Sequence, residues 1–162
     1  MKTTTFLAIA LASLSVVFTA TATPQSPKSS ATFGKALSDA EMIANLSPEW
    51  NVYRTIGTSM GDYFGPNSLI VVQTAAIQDV RVGMMIVYRT ANGEFISHKV
   101  VAHNGTSLTT RGTSNSHIDP EPVTHDMIVG AIFCVFHTAG APAGETLAGT
   151  DQPLPTALCK TF

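Results

Sequence analysis

Charge is scarce in this chain: only 12% of its 162 residues are Asp, Glu, Lys or Arg, and the formal net charge is -2. No basic patch stands out, which argues against nucleic acid as a partner. No run of like charges marks a disordered interaction tail. Past the N-terminal segment no apolar stretch is long enough to span a bilayer. No internal repeat is apparent. His-Glu-x-x-His is absent, and His103, His117, His125 and His137 follow no metal-ligand spacing, so no metal is expected. A glycine-rich phosphate loop is missing too, and no cofactor is expected. Cysteine is limited to Cys134 and Cys159.

What is present begins with a targeting pattern. Lys2 supplies a short positive start, Phe6 to Phe18 is apolar, and Ala20-Thr21-Ala22 puts small residues where an export protease reads. Residues 1–22 are therefore expected to be a signal peptide cut after Ala22, giving an exported protein, periplasmic or extracellular. The alternative is an uncleaved membrane anchor, since the 17 residues from Phe6 to Ala22 sit at the lower edge of a bilayer span. Export would permit a disulfide between Cys134 and Cys159. It would close a loop of about 25 residues and stabilise by roughly 3 kcal/mol. The competing reading is one buried cysteine and one tail thiol.

A single domain is expected at this length. Residues 23–33, rich in Pro, Ser and Thr, read as a linker. Ser38-Asp39-Ala40-Glu41 fits a capping box with Ser38 as N-cap, predicting a short helix that stops near Ser47 because of Pro48. From Trp50 the pattern turns to strands: Val52 to Ile56, Leu69 to Gln73, Met84 to Tyr88, Phe95 to Ala102, Ser107 to Arg111 and Ile128 to Phe136. Asn92-Gly93 and Asn104-Gly105 mark tight hairpins. Residues 34–137 are expected to form a mainly β, barrel-like antiparallel domain with one short N-terminal helix. Residues 138–162 read as an extended tail.

Three side chains in this domain suggest chemistry together. Strand alternation puts His98 on a face with Ile96, Val100 and Ala102, while Lys99 points the other way with Ser97, Val101 and His103. Ser59 sits in Gly57-Thr58-Ser59-Met60-Gly61 after a β segment, in a turn that the glycines permit. A serine hydroxyl becomes a useful nucleophile when a neighbouring base takes its proton. Asp119, just before Pro120, is an acid able to orient an imidazole. Taken singly, these are a core histidine, a turn serine and a turn aspartate.

Their order carries more. Gly-Thr-Ser59-Met60, Gly83-Met84-Met85-Ile86-Val87, Ser97-His98-Lys99-Val100-Val101 and Thr110-Arg111-Gly112 through Asp119 resemble the box series of type I signal peptidases and the related self-cleaving repressors. The resemblance runs from about Ile56 to Phe136. It is closest to the archaeal and endoplasmic-reticulum branch, in which histidine replaces the lysine base and an aspartate follows. It implies Ser59 as nucleophile, His98 as base and Asp119 as orienting acid, with Gly57, Thr58 and Met60 at the substrate and oxyanion side. The chain departs from that pattern at Asp62 (family Pro), Met84 and Thr113 (family acids) and Gly57, which offers no hydroxyl to the oxyanion.

Two functions follow as expectations. One is an exported serine endopeptidase that cleaves an extended peptide or protein through a Ser59 acyl-enzyme, with small residues before the cut by resemblance. The other is a catalytically inactive peptide-binding or structural domain on the same fold, suggested by the lost acids. A membrane would be a partner only if the leader stays attached.

Overall fold

A computed structural model describes residues 25–140. The leader, the cut after Ala22 and Cys159 lie outside the described residues. One helix, α1 (Phe33–Ala44), precedes seven strands: β1 (Trp50–Arg54), β2 (Leu69–Gln73), β3 (Met85–Arg89), β4 (Phe95–His103), β5 (Ser107–Arg111), β6 (Val123–Thr124) and β7 (Ile128–Phe136). The domain is mainly β, as its strand patterning predicts.

All seven strands join one antiparallel sheet in the order β1-β2-β7-β3-β4-β5-β6. The β3-β4-β5 meander turns at the two Asn-Gly pairs, where Gly93 and Gly105 take φ of 85° and 96°. Of each pair only the glycine is left-handed, so the connections, residues 90–94 and 104–106, are longer hairpin loops with a glycine in the left-handed position rather than the tight two-residue turns expected. β7 closes the topology by returning between β2 and β3. β2 is covered on both sides and reads as an unbroken apolar run for that reason.

The sheet is curled into a half-barrel. β1 and β4 are four strand spacings apart, which in a flat sheet is roughly 19 Å. Yet the rings of Tyr53 on β1 and Phe95 on β4 lie 6.0 Å apart, centroid to centroid. Irregular registers at Val71/Val72, Val87/Tyr88 and Val100/Ala102 supply the bending. The last of these corrects the alternation expected for β4. Beyond Val100 the strand gains a residue relative to β5, and Ala102 is exposed rather than sharing the buried face of His98.

Inside the curl, Met60, Phe64, Ile70, Val72 and Val87 pack together. On the outer side, α1 lays Phe33, Ala36, Ala40 and Ala44 against Val52, Leu69 and Val71. This stripe corrects the helix start expected from the sequence. The N-cap is Thr32, whose side chain accepts from the Lys35 N–H, and Ser38 lies exposed inside the helix. Burying Phe33 requires a helix that begins at that residue, and the packing of this apolar face outweighs the capping-box pattern. The helix ends at Ala44, earlier than Ser47, with Asn45 as C-cap.

The segments flanking the domain also pack on each other. Ala139 N–H donates to the Ala31 carbonyl at 2.9 Å, and the Ser29 hydroxyl donates to the His137 carbonyl at 2.5 Å. Buried Thr138 donates to the Asn67 carbonyl at 2.9 Å. The chain just before α1 and just after β7 is thereby tied to the sheet.

Candidate active site

Ser59 lies in the loop that leaves β1. Buried Thr55 fixes the start of this loop: its N–H donates to Ser68 O at 2.9 Å and its hydroxyl to Gly65 O at 2.5 Å. Met60 and Phe64, 2% and 3% exposed, anchor the far side in the inner core. Between them the chain makes tight turns, with Gly61 N–H on Thr58 O and Tyr63 N–H on Met60 O. The serine is thus held between two buried anchors.

A second loop holds it from the other side. Ser114 N–H donates to the Ser59 carbonyl at 2.9 Å. The approach works because residue 112 is glycine. A Cβ there would stand 2.8 Å from both Cβ and O of Ser59 and 2.7 Å from the Asn115 amide nitrogen.

His98 sits on β4 opposite Ile86 of β3, 7% exposed. Its Nε2 is 3.0 Å from Ser59 Oγ, and its Nδ1 is 2.6 Å from Asp119 Oδ2. Asp119 is placed by the chain leaving β5: its N–H donates to the Thr110 carbonyl at 2.8 Å. Three residues distant in sequence therefore form one continuous hydrogen-bonded line. Lys99 alternates away, its ammonium 3.4 Å from the Tyr63 hydroxyl.

The electrostatics set proton positions along this line. Burial disfavours the Asp119 carboxylate, but hydrogen bonds from Thr110 and then His98 and Tyr88 outweigh it and hold its pKa below the ordinary range. An ionised carboxylate only accepts. A neutral His98 must then carry its proton on Nδ1, which leaves Nε2 as an acceptor for the Ser59 hydroxyl. Burial, chiefly, raises the pKa of the Tyr88 phenol, so it remains a donor.

A cleft of about 420 Å³ opens beside Ser59. Arg54 to Gly57 form one wall and Glu94 to His98 the other, over Met60, Phe64, Ile70 and Val87. Both walls are backbone edges. β1 is the terminal strand of the sheet, and β4 pairs with β5 only from Lys99 onward.

Of the residues expected at the substrate side, Gly57 and Met60 line this cleft. Thr58 is exposed and is not among its lining residues. A side chain at Gly57 would begin 4.0 Å from Ser59 Oγ, so the glycine leaves that space open. Cys134 is half-buried, has no disulfide partner among the described residues, and has its thiol pKa raised by burial. Its expected pairing with Cys159 falls outside the described residues. Among the described residues no group of three His, Cys, Asp or Glu side chains gathers as a metal site. None of their helices is long and apolar enough to cross a membrane.

A scan against protein-family models finds no match, and a search of curated proteins also finds none.

Sequence reasoning missed two residues of this site, Tyr88 and Thr110. Both hydroxyls donate to Asp119 Oδ2, at 3.1 and 2.5 Å. No local signal marks them; the cross-strand register brings them in. Ile86 opposes His98, so Tyr88 two residues on shares its face; Thr110 opposes Val100, which is two residues from His98.

Proposed function

We propose that this chain is a serine endopeptidase that cleaves an extended peptide bound in the cleft beside Ser59. The observation that carries the reading is the hydrogen-bonded line from Ser59 Oγ through His98 to Asp119, at 3.0 and 2.6 Å. Nucleophile, base and orienting acid each have the partner and protonation pattern that acyl transfer needs.

In the first step Ser59 Oγ attacks the scissile carbonyl carbon while its proton passes to His98 Nε2. The imidazolium so formed is stabilised by Asp119, which stays ionised. His98 then returns the proton to the departing amine as the C–N bond breaks, leaving an ester on Ser59. Water, deprotonated by His98, attacks that ester; the carboxylic product leaves and Ser59 regains its hydrogen. The Ser59 backbone N–H is a candidate donor for the oxyanion.

The peptide preference is supported by the walls. An extended segment can hydrogen-bond to the strand edges at Arg54 to Gly57 and Phe95 to Ser97, as in β-strand addition. The apolar floor suits uncharged side chains beside the cut. The binding-only alternative rests on the family acids replaced by Met84 and Thr113. Neither residue lines the cleft, and the intact proton path favours the enzyme.

Export remains part of the proposal, carried by the leader pattern ending at Ala22. Recovery of full-length protein in membranes would replace release with anchoring.

The test is digestion of a mixture of unstructured peptides by the purified domain, with products identified by mass spectrometry. Cleavage that disappears in Ser59→Ala supports the proposal. Identical products from wild type and Ser59→Ala, or none from wild type, contradict it.

A further inference from the structure

We propose that Tyr88 and Thr110 are positioning residues for Asp119: their hydroxyls share Oδ2 with His98 Nδ1, fixing the carboxylate and moderating its pull on the imidazole. The consequence for rate rests on the peptidase reading above; the geometry does not.

All three donors converge on one oxygen. Thr110 Oγ1 lies at 2.5 Å, His98 Nδ1 at 2.6 Å and the Tyr88 hydroxyl at 3.1 Å. A carboxylate oxygen has about two lone-pair sites. Three donors therefore compete, and each bond is weaker than it would be alone.

The donors come from opposite sides. Tyr88 is on β3 and Thr110 on β5, the two strands that flank His98 on β4. They are 3% and 0% exposed, so neither hydroxyl is free to turn toward water. Thr110 grips Asp119 twice, through its side chain and through the carbonyl that accepts the Asp119 N–H at 2.8 Å. The Tyr88 ring also stands edge-on to the imidazole, 6.5 Å between centroids at 66°, and limits its tilt. Neither residue lines the cleft, so neither touches substrate there.

Removing one hydroxyl has two effects. The acceptor capacity of Oδ2 concentrates on His98, tightening that hydrogen bond. The carboxylate meanwhile loses a restraint on its rotamer. Losing one net hydrogen bond predicts a kcat about fivefold lower, with KM unchanged.

The experiment is proton NMR of the exchangeable imidazole hydrogens in the full chain, comparing wild type, Tyr88→Phe, Thr110→Val and Thr110→Ser. The His98 Nδ1 hydrogen should move downfield in Tyr88→Phe and Thr110→Val and return to its wild-type position in Thr110→Ser. That return separates the hydroxyl from mere packing. An unchanged resonance in both hydroxyl-free variants overturns the proposal. The spectrum reads the shared oxygen whether or not any peptide is cleaved, so wild type lacking turnover would count against the peptidase reading alone.

Discussion

The backbone N–H of Ser114 donates to the carbonyl of Ser59 at 2.9 Å, joining the loop after β5 to the turn that carries the candidate nucleophile. This contact relates hydroxyl and carboxylate through the backbone as well as through His98. It exists only because Gly112 leaves room.

Gly112→Ala should therefore damage both the site and the fold. The new Cβ would start 2.8 Å from Ser59 Cβ, and the serine turn must move to admit it. A displacement near 1 Å costs on the order of a hundredfold in rate. Peptide cleavage measured beside a urea melt should show the rate collapsing, with a lower midpoint as well because the clash includes the Ser59 backbone. A wild-type rate in this variant would show that the loop contact does not position Ser59.

Asp119→Asn removes the charge that sets the imidazole tautomer. Asparagine can turn its amide N–H toward Nδ1, which then accepts, and the His98 proton moves to the side facing Ser59. The expected cost in kcat is on the order of 10⁴, with KM preserved. Steady-state kinetics on a cleaved peptide checks this, and a loss below about tenfold would remove Asp119 from the mechanism.

The same aspartate makes stability depend on pH. Its folded pKa is depressed because hydrogen bonds from Thr110, His98 and Tyr88 outweigh the opposing effect of burial. Such a group contributes stability that is fully present above the unfolded value of about 3.9 and is lost as pH falls through the folded value. Wild type should exceed Asp119→Asn in urea midpoint near neutrality, and the gap should narrow below about pH 4. A gap that stays constant into strong acid contradicts this.

The helix start gives a test independent of chemistry. Thr32 caps α1 through a bond from the Lys35 N–H, whereas Ser38 is an exposed interior residue. Thr32→Ala should cost about 1 kcal/mol. Ser38→Ala should be neutral or stabilise by a few tenths of a kcal/mol, since alanine is the better interior helix former. Thermal melts of the two variants decide it; the opposite ranking would restore Ser38 as the cap.

These contrasts show where sequence reasoning held. β2, β5 and β7 begin and end where their apolar and β-branched runs do, and the meander turns at the Asn-Gly pairs, through loops longer than the tight turns expected. The sequence brings Ser59, His98 and Asp119 forward as candidates, and the fold brings them within hydrogen-bond reach of one another. The helix start was not, because burial of Phe33 is a tertiary demand that no local capping pattern contains. Ala102 was misplaced because the irregular register beside Val101 adds a residue that simple alternation cannot foresee. The insertion of β7 between β2 and β3 has no local signature, yet it helps curl β1 toward β4 and so makes the cleft. Tyr88 and Thr110 were missed for a narrower reason. Each looks like an ordinary strand residue until cross-strand register places its hydroxyl beside the carboxylate.

Catalysis as proposed requires His98 to activate Ser59. Treatment with a fluorophosphonate followed by intact-mass spectrometry reads that activation out. One adduct per wild-type chain is expected, mapped to Ser59, and no adduct on either Ser59→Ala or His98→Ala over the same time. An unlabelled wild type, or equal labelling of wild type and His98→Ala, would contradict it.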